Sequence, residues 1–143
     1  MIDNIIKDIL KIYYNIIINK SLCGNRGYYP KHDILQEELY KLANKYNLSC
    51  QKEYVGIKFY DKEKNKIFQG RIDLAYYLNN NPYIALEIDC GLKGTSIKKL
   101  IANKNFKYRI WFCYNRKIKT NKYYKLINTY DKNKELIYIT PTK

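Results

Sequence analysis

The chain has 143 residues, enough for one domain that buries a core without disulfide staples. It carries 27 Lys and Arg against 13 Asp and Glu, a net charge of +14, which points to a polyanionic partner, nucleic acid first. No apolar run approaches the ~18 residues of a membrane span. The opening MIDNIIKDIL mixes acid and base where a signal peptide would be apolar, and Cys23, Cys50, Cys90 and Cys113 form no C-x-x-C pair. Zinc sites and secreted disulfide frameworks are therefore not indicated. The expectation is a soluble, intracellular protein with reduced thiols.

Residues 2–18 place Ile2, Ile5, Ile6, Ile9, Leu10, Tyr13, Ile16 and Ile17 at helical spacing, predicting an amphipathic helix. SLCGNRGYYPK reads as a loop. Asp33 and Gln36 resemble a capping box, opening a helix striped by Leu35, Leu39, Leu42 and Tyr46. The period then changes to two. EYVGIKFY predicts a strand, DKEKNK a charged turn, IFQGRIDLAYYL a second strand, NNNP a turn and YIALEID a third strand. CGLKG leads into a helix from about Thr95 to Asn103, and YRIWFCY, apolar on both faces, predicts a buried central strand. A short helix and a last strand, ELIYI, complete the tail. The order predicts a single α/β domain with a mixed sheet flanked by helices, its third and fourth strands joined as a parallel βαβ crossover.

Three carboxylates lie in this pattern where apolar residues are expected. Asp73 sits between Ile72 and Leu74, and Glu87 and Asp89 alternate with Leu86 and Ile88. A buried carboxylate is costly unless it is paired or binds a metal. Side chains alternate along strands, so Glu87 and Asp89 share a face. In an antiparallel hairpin Asp73 joins them only if paired residue numbers have an even sum, such as 160 or 162. That requires an odd-numbered loop or a bulge, with Pro82 in the turn or at the strand start, and Ile72 and Leu74 together on the opposite face. The three would then be hard oxygen ligands for Mg²⁺, with Mn²⁺ a substitute. The competing reading pairs these acids with Arg71 and nearby lysines.

An Asp on one strand, a turn, an apolar strand carrying Glu, then a helix and a buried strand resembles the PD-(D/E)XK nuclease superfamily over roughly Asp33 to Tyr114. The resemblance implies a restriction-endonuclease-like core at 33–114, with residues 1–20 an N-terminal helix and 115–143 a basic extension. It makes Asp73 the metal-binding aspartate and Glu87 the second acid. The sequence departs where the superfamily usually has Lys, since that position is Asp89. Lys98 and Lys93 are the first candidates to replace it, with Lys99 next to them. The superfamily also often adds a Glu from the first core helix. At about 100° per residue, Glu38 lies about 75° from the centre of the leucine stripe while Glu37 points away, which selects Glu38.

The resulting expectation is metal-assisted phosphodiester hydrolysis. Asp73, Glu87 and Asp89 hold the ion, a lysine aids the transition state, and Arg71, Lys99, Lys117 and Lys119, with Lys122 and Lys125, grip the backbone. DNA stands ahead of RNA, as an endonuclease substrate. The alternatives are a catalytically inactive nuclease-like protein that binds nucleic acid or forms a subunit interface, and a homodimeric structure-selective (junction) resolvase. His32, at a helix start, reads as a capping or surface residue, and Trp111 as core. Much of the lysine, 23 residues beside 4 arginines, is also what an AT-rich coding sequence would produce.

Overall fold

The isoleucine stripe at the N-terminus forms α1 (Ile2–Ile17), which buries Ile5, Ile9, Tyr13 and Ile16. It lies beside α2 (His32–Lys45), which buries Leu35, Gln36, Leu39, Leu42 and Ala43. The structure, a computed structural model, describes residues 1–24, 29–115 and 117–141. Among them no helix is long and apolar enough to cross a membrane.

The strands are β1 (Ser49–Val55), β2 (Phe59–Asp61), β3 (Lys66–Phe68), β4 (Arg71–Leu78), β5 (Asn81–Asp89), β6 (Tyr108–Cys113) and β7 (Ile137–Ile139); α3 (Gly94–Ala102) and α4 (Thr120–Tyr130) follow β5 and β6. Five strands make one mixed sheet in the order β1-β4-β5-β6-β7. β1, β4 and β5 run antiparallel as a meander, and β5, β6 and β7 are parallel. One face carries α1 and α2 over Leu74, Tyr76, Ile84, Leu86, Ile88, Ile110 and Phe112. The other carries α3 and α4 over Ala75, Ala85, Trp111 and Cys113. This is the expected mixed sheet between helices, with β5, α3 and β6 as the βαβ unit.

Two expected strands are broken. EYVGIKFY spans the end of β1 and the start of β2, and IFQGRIDLAYYL spans β3 and β4. β2 and β3 pair only with each other, as a ribbon inserted between β1 and β4. Its base is pinched by glycines: the Gly56 N–H donates to the Gly70 carbonyl at 3.0 Å, and a Cβ on Gly56 would lie 3.2 Å from that carbonyl and 2.9 Å from the Asn103 amide. Backbones this close need residues without side chains.

The β4–β5 hairpin reaches even parity through a bulge. Its loop is the two-residue turn Asn79–Asn80, both at positive φ (50° and 66°), as such hairpin turns require. Next to the turn Leu78 pairs with Asn81 and Tyr77 with Pro82. Beyond Tyr76 the pairs become Tyr76–Ile84, Ala75–Ala85 and Leu74–Leu86. Tyr83 is therefore the extra residue, and past it the paired numbers sum to 160. Strict alternation fails at Asp73, however. Ile72 joins the α3/α4 core and Leu74 the α1/α2 core, contrary to the expectation that they share a face. The β1 residue beside this point, Glu53, has φ 53°, so the ladder is distorted on both sides.

Candidate functional site

The β4–β5 ladder stops at Leu74–Leu86, and beyond it the strands are bridged by carboxylates. Asp73 Oδ2 accepts the Ile88 N–H at 2.7 Å, and Glu87 Oε1 accepts the Asp73 N–H at 3.0 Å. Each acid thus caps a backbone donor of the other's strand. From α2, the Gln36 amide donates to the Asp73 carbonyl at 3.0 Å and to Glu53 Oε1 at 3.2 Å. These bonds satisfy the backbone groups that the parting strands leave without ladder partners.

Cations surround the fork. Lys99 Nζ lies 2.8 Å from Glu87 Oε2 and also donates to the Arg71 carbonyl at 2.8 Å. His32 Nε2 is 3.8 Å from Asp73 Oδ1, an ion-pair distance. Lys93 Nζ lies 3.7 Å from Asp89 Oδ1, while Asp89 Oδ2 accepts the Trp111 indole N–H at 2.8 Å. Glu87 is 2 % exposed. Burial, then the charge of Asp73, push its carboxyl up to about 7 against the pull of Lys99. Asp73 holds the His32 imidazole up to about 9. The groups open into a pocket of about 540 Å³ lined by His32, Asp73, Glu87, Asp89, Lys93 and Lys99 together with Cys90, Ser96 and Tyr114.

The wall beside Lys99 is tight. A Cβ on Gly70 would fall 2.4 Å from Lys99 Cδ and 2.8 Å from the Phe68 ring, so the lysine stem reaches Glu87 through space that only glycine leaves.

No family model, curated protein or solved structure matches this chain. The site therefore rests on its own geometry.

That geometry revises several sequence expectations. Asp73, Glu87 and Asp89 do line one pocket, but among the described residues no three His, Cys, Asp or Glu side chains are gathered to hold a metal. Each carboxylate is turned to a separate partner, Asp89 above all to Trp111. The lysine on Glu87 is Lys99, which the sequence ranks behind Lys98 and Lys93 and places at the nucleic-acid surface. Lys98, the first catalytic choice, faces elsewhere, 3.0 Å from Asp61 and 3.1 Å from Glu63. Successive helical residues point ~100° apart, so one step along α3 decides which lysine meets the acid. Lys93 is in the pocket, mostly exposed.

Glu38 is absent from the site: it is half-buried on α2 and pairs with Lys41. Ala43 and Gln36 also belong to the buried stripe, which rotates its centre by roughly 30° away from Glu38. Glu37 pairs with Lys52. The carboxylates take Lys99, Lys93 and His32 as partners in place of Arg71, whose side chain is exposed. Lys117 and Lys119 are exposed before α4, far along the chain from the fork; Arg116 lies outside the described residues. Trp111 is core, as expected, but it also anchors Asp89.

His32 and Gln36 were not foreseen as site residues. They stand four apart on α2, hence on one helical face. That spacing, next to a leucine stripe, was the available signal.

Proposed function

We propose that this chain is a metal-dependent nuclease of the PD-(D/E)XK kind, with a restriction-endonuclease-like core, hydrolysing phosphodiester bonds in nucleic acid, DNA ahead of RNA. The observation that carries the reading is the reciprocal Asp73–Glu87 pairing at a strand fork, open to a pocket, with Lys99 on the second acid. An ion pair serving stability alone has no need of a cavity or of two acids set against each other across a strand fork.

The carboxylate oxygens of Asp73, Glu87 and Asp89 are hard donors that suit Mg²⁺ or Mn²⁺, with His32 and Cys90 also on the pocket lining. Burial first, and the charge of Asp73 second, push Glu87 up further than Lys99 pulls it down. Asp73 and Glu87 would hold the ion, with Asp89 on the adjoining wall. A bound divalent ion supplies charge neutralisation at the phosphate and acidifies a water. The chain's own residues do the rest. Lys99 stands where it can compensate charge at the reacting phosphate, and Lys93 and His32 add positive charge at the rim. Gln36 and the Ile88 N–H hold Asp73 in position.

The expected result is cleavage of plasmid or oligonucleotide DNA in Mg²⁺ or Mn²⁺, lost in EDTA and reduced to background in Asp73→Asn. Wild-type cleavage that persists in excess EDTA would overturn the mechanism. A second reading, a nuclease-like binding protein without catalysis, is favoured by one observation: the position after the motif is Asp89, engaged by Trp111. Under that reading Asp73→Asn leaves nucleic acid affinity unchanged and neither form cleaves.

A further inference from the structure

The β2–β3 ribbon plays no part in the core sheet, and its chemistry differs between its two sides. Phe59 and Phe68 pack on each other, ring centroids 5.5 Å apart, and Asp61 is buried. The Asp61 carboxylate accepts the N–H groups of Glu63 and Lys64 at 3.1 and 3.3 Å, which fixes the ribbon's turn, and takes Lys98 of α3 at 3.0 Å. Glu63 meets the same lysine at 3.1 Å. At the base, Ile57 donates to Asn103 at 3.0 Å. Both acids of the ribbon tip are thus neutralised against α3. What remains outward is Tyr60, 55 % exposed, beside its partner Ile67, 70 % exposed, flanked by the exposed lysines Lys58 and Lys62.

We propose that this ribbon is the arm that docks the protein in the major groove of duplex DNA. A two-stranded ribbon has the width the B-form major groove admits. Its outward charge is mostly lysine, Glu63 being held to Lys98, and lysine complements the phosphates bordering the groove. Tyr60 and Ile67 supply apolar surface for base edges, and thymine methyl groups are the feature such side chains read there. Tyr60 and Ile67 pack into neither core cluster, which leaves them available to a partner. The ribbon also leads straight into the site, since β3 ends at Phe68 and Asp73 lies five residues on, at most ~17 Å of extended chain. Lys98 and Lys99 tie the ribbon and the acid pocket to the same turn of α3. The inference takes its substrate class from the nuclease reading and adds the surface and the groove.

The test is binding of the full chain to a fluorescein-labelled 30-bp DNA duplex and to the RNA duplex of the same sequence, by anisotropy, in EDTA so that nothing is cleaved. Lys58→Ala/Lys62→Ala is expected to weaken DNA binding at least tenfold and to lower the slope of log affinity against log salt by about 2. Tyr60→Ala/Ile67→Ala is expected to weaken it about tenfold with the slope unchanged. Lys7→Ala/Lys11→Ala, removing the same charge from the exposed side of α1, should change affinity less than threefold. An equal loss in the α1 variant would mean that bulk charge does the binding and would overturn the arm. So would RNA duplex bound as tightly and with the same ribbon dependence, because the A-form major groove is too narrow for a ribbon. Cleavage separates the two proposals. Ribbon-dependent binding by a chain that never cleaves sinks the nuclease reading alone, and ribbon-independent binding by a chain that cleaves sinks the arm alone.

Discussion

Glu87→Gln is expected to abolish metal-dependent cleavage and to flatten the stability profile between about pH 4.5 and 7. In the wild type the buried Glu87 carboxyl is pushed up to about 7 from 4.5. The folded state thus binds this proton more tightly than the unfolded chain does. The stabilisation is fully present below pH 4.5 and is lost as pH rises through 7. About 2.5 units correspond to roughly 3 kcal/mol, a sizeable part of the ~5–15 kcal/mol of a small domain. Glutamine retains an oxygen to accept the Asp73 N–H but does not titrate. Urea unfolding at successive pH values reads the difference directly. Should the wild type gain stability from pH 5 to 7, the assignment of Glu87 as a strained buried acid is wrong. His32 acts in the same direction at higher pH. Its pair with Asp73 holds it up to about 9, so the stability that pair contributes is present below pH 6.5 and lost as pH rises through 9. His32→Gln should remove that upper limb only. At pH 8, where Glu87 is largely ionised, Mn²⁺ is expected to raise the melting temperature of the wild type and not of Asp73→Ala.

Insertion of one alanine between Ala85 and Leu86 is expected to be the most damaging single change in the hairpin. The Asn79–Asn80 turn and the extra residue Tyr83 together set the Ala75–Ala85 pair, and one further residue sends every later side chain of β5 to the other face. Glu87 and Asp89 would enter the core beneath α1 and α2, and Leu86 and Ile88 would leave it. Two carboxylates buried without partners cost several kcal/mol each, which together exceed the stability available. The variant should fail to fold, or fold only by forming a second bulge. Deletion of Tyr83 is the milder change, because Tyr77–Pro82 is then followed directly by Tyr76–Ile84 and every later pair is kept. Tyr83→Ala keeps the bulge and loses only the side chain and its edge contact with Tyr108. It should melt lower, by about 2–4 kcal/mol, and still cleave. Native-like melting and cleavage in the insertion variant would show that register does not position the acids.

The strands carrying Asp73, Glu87 and Asp89 were legible in the sequence because period two is local and the acids interrupt it visibly. The βαβ unit followed from the same alternation. The bulge was not legible, since Tyr83 has the composition of any strand residue and only pairing reveals it as extra. The expected single strands failed at Gly56 and Gly70, where the signal was present but each glycine read alone looks like a tolerated strand residue. The choice between Lys98 and Lys99, like that which favoured Glu38 over Glu37 and passed over Gln36, depended on helix phase. A helix starting at Gly94 and a stripe including Ala43 each moved the answer by one or two residues. His32 meets Asp73 only through tertiary packing, so its role could not be read from its surroundings in the chain.

Gly70 shows how far the inventory of a site extends beyond its functional groups. It has no charge and forms no part of the acid cluster, yet the lysine stem passes through the volume its missing methyl would fill. One added carbon, as in Gly70→Ala, would push Lys99 off Glu87 while leaving every ionisable group in the protein unchanged. The tolerance of this protein to mutation is then not a map of its chemistry. An empty volume the size of a methyl group takes part in where the lysine stands, though it bears no chemistry of its own.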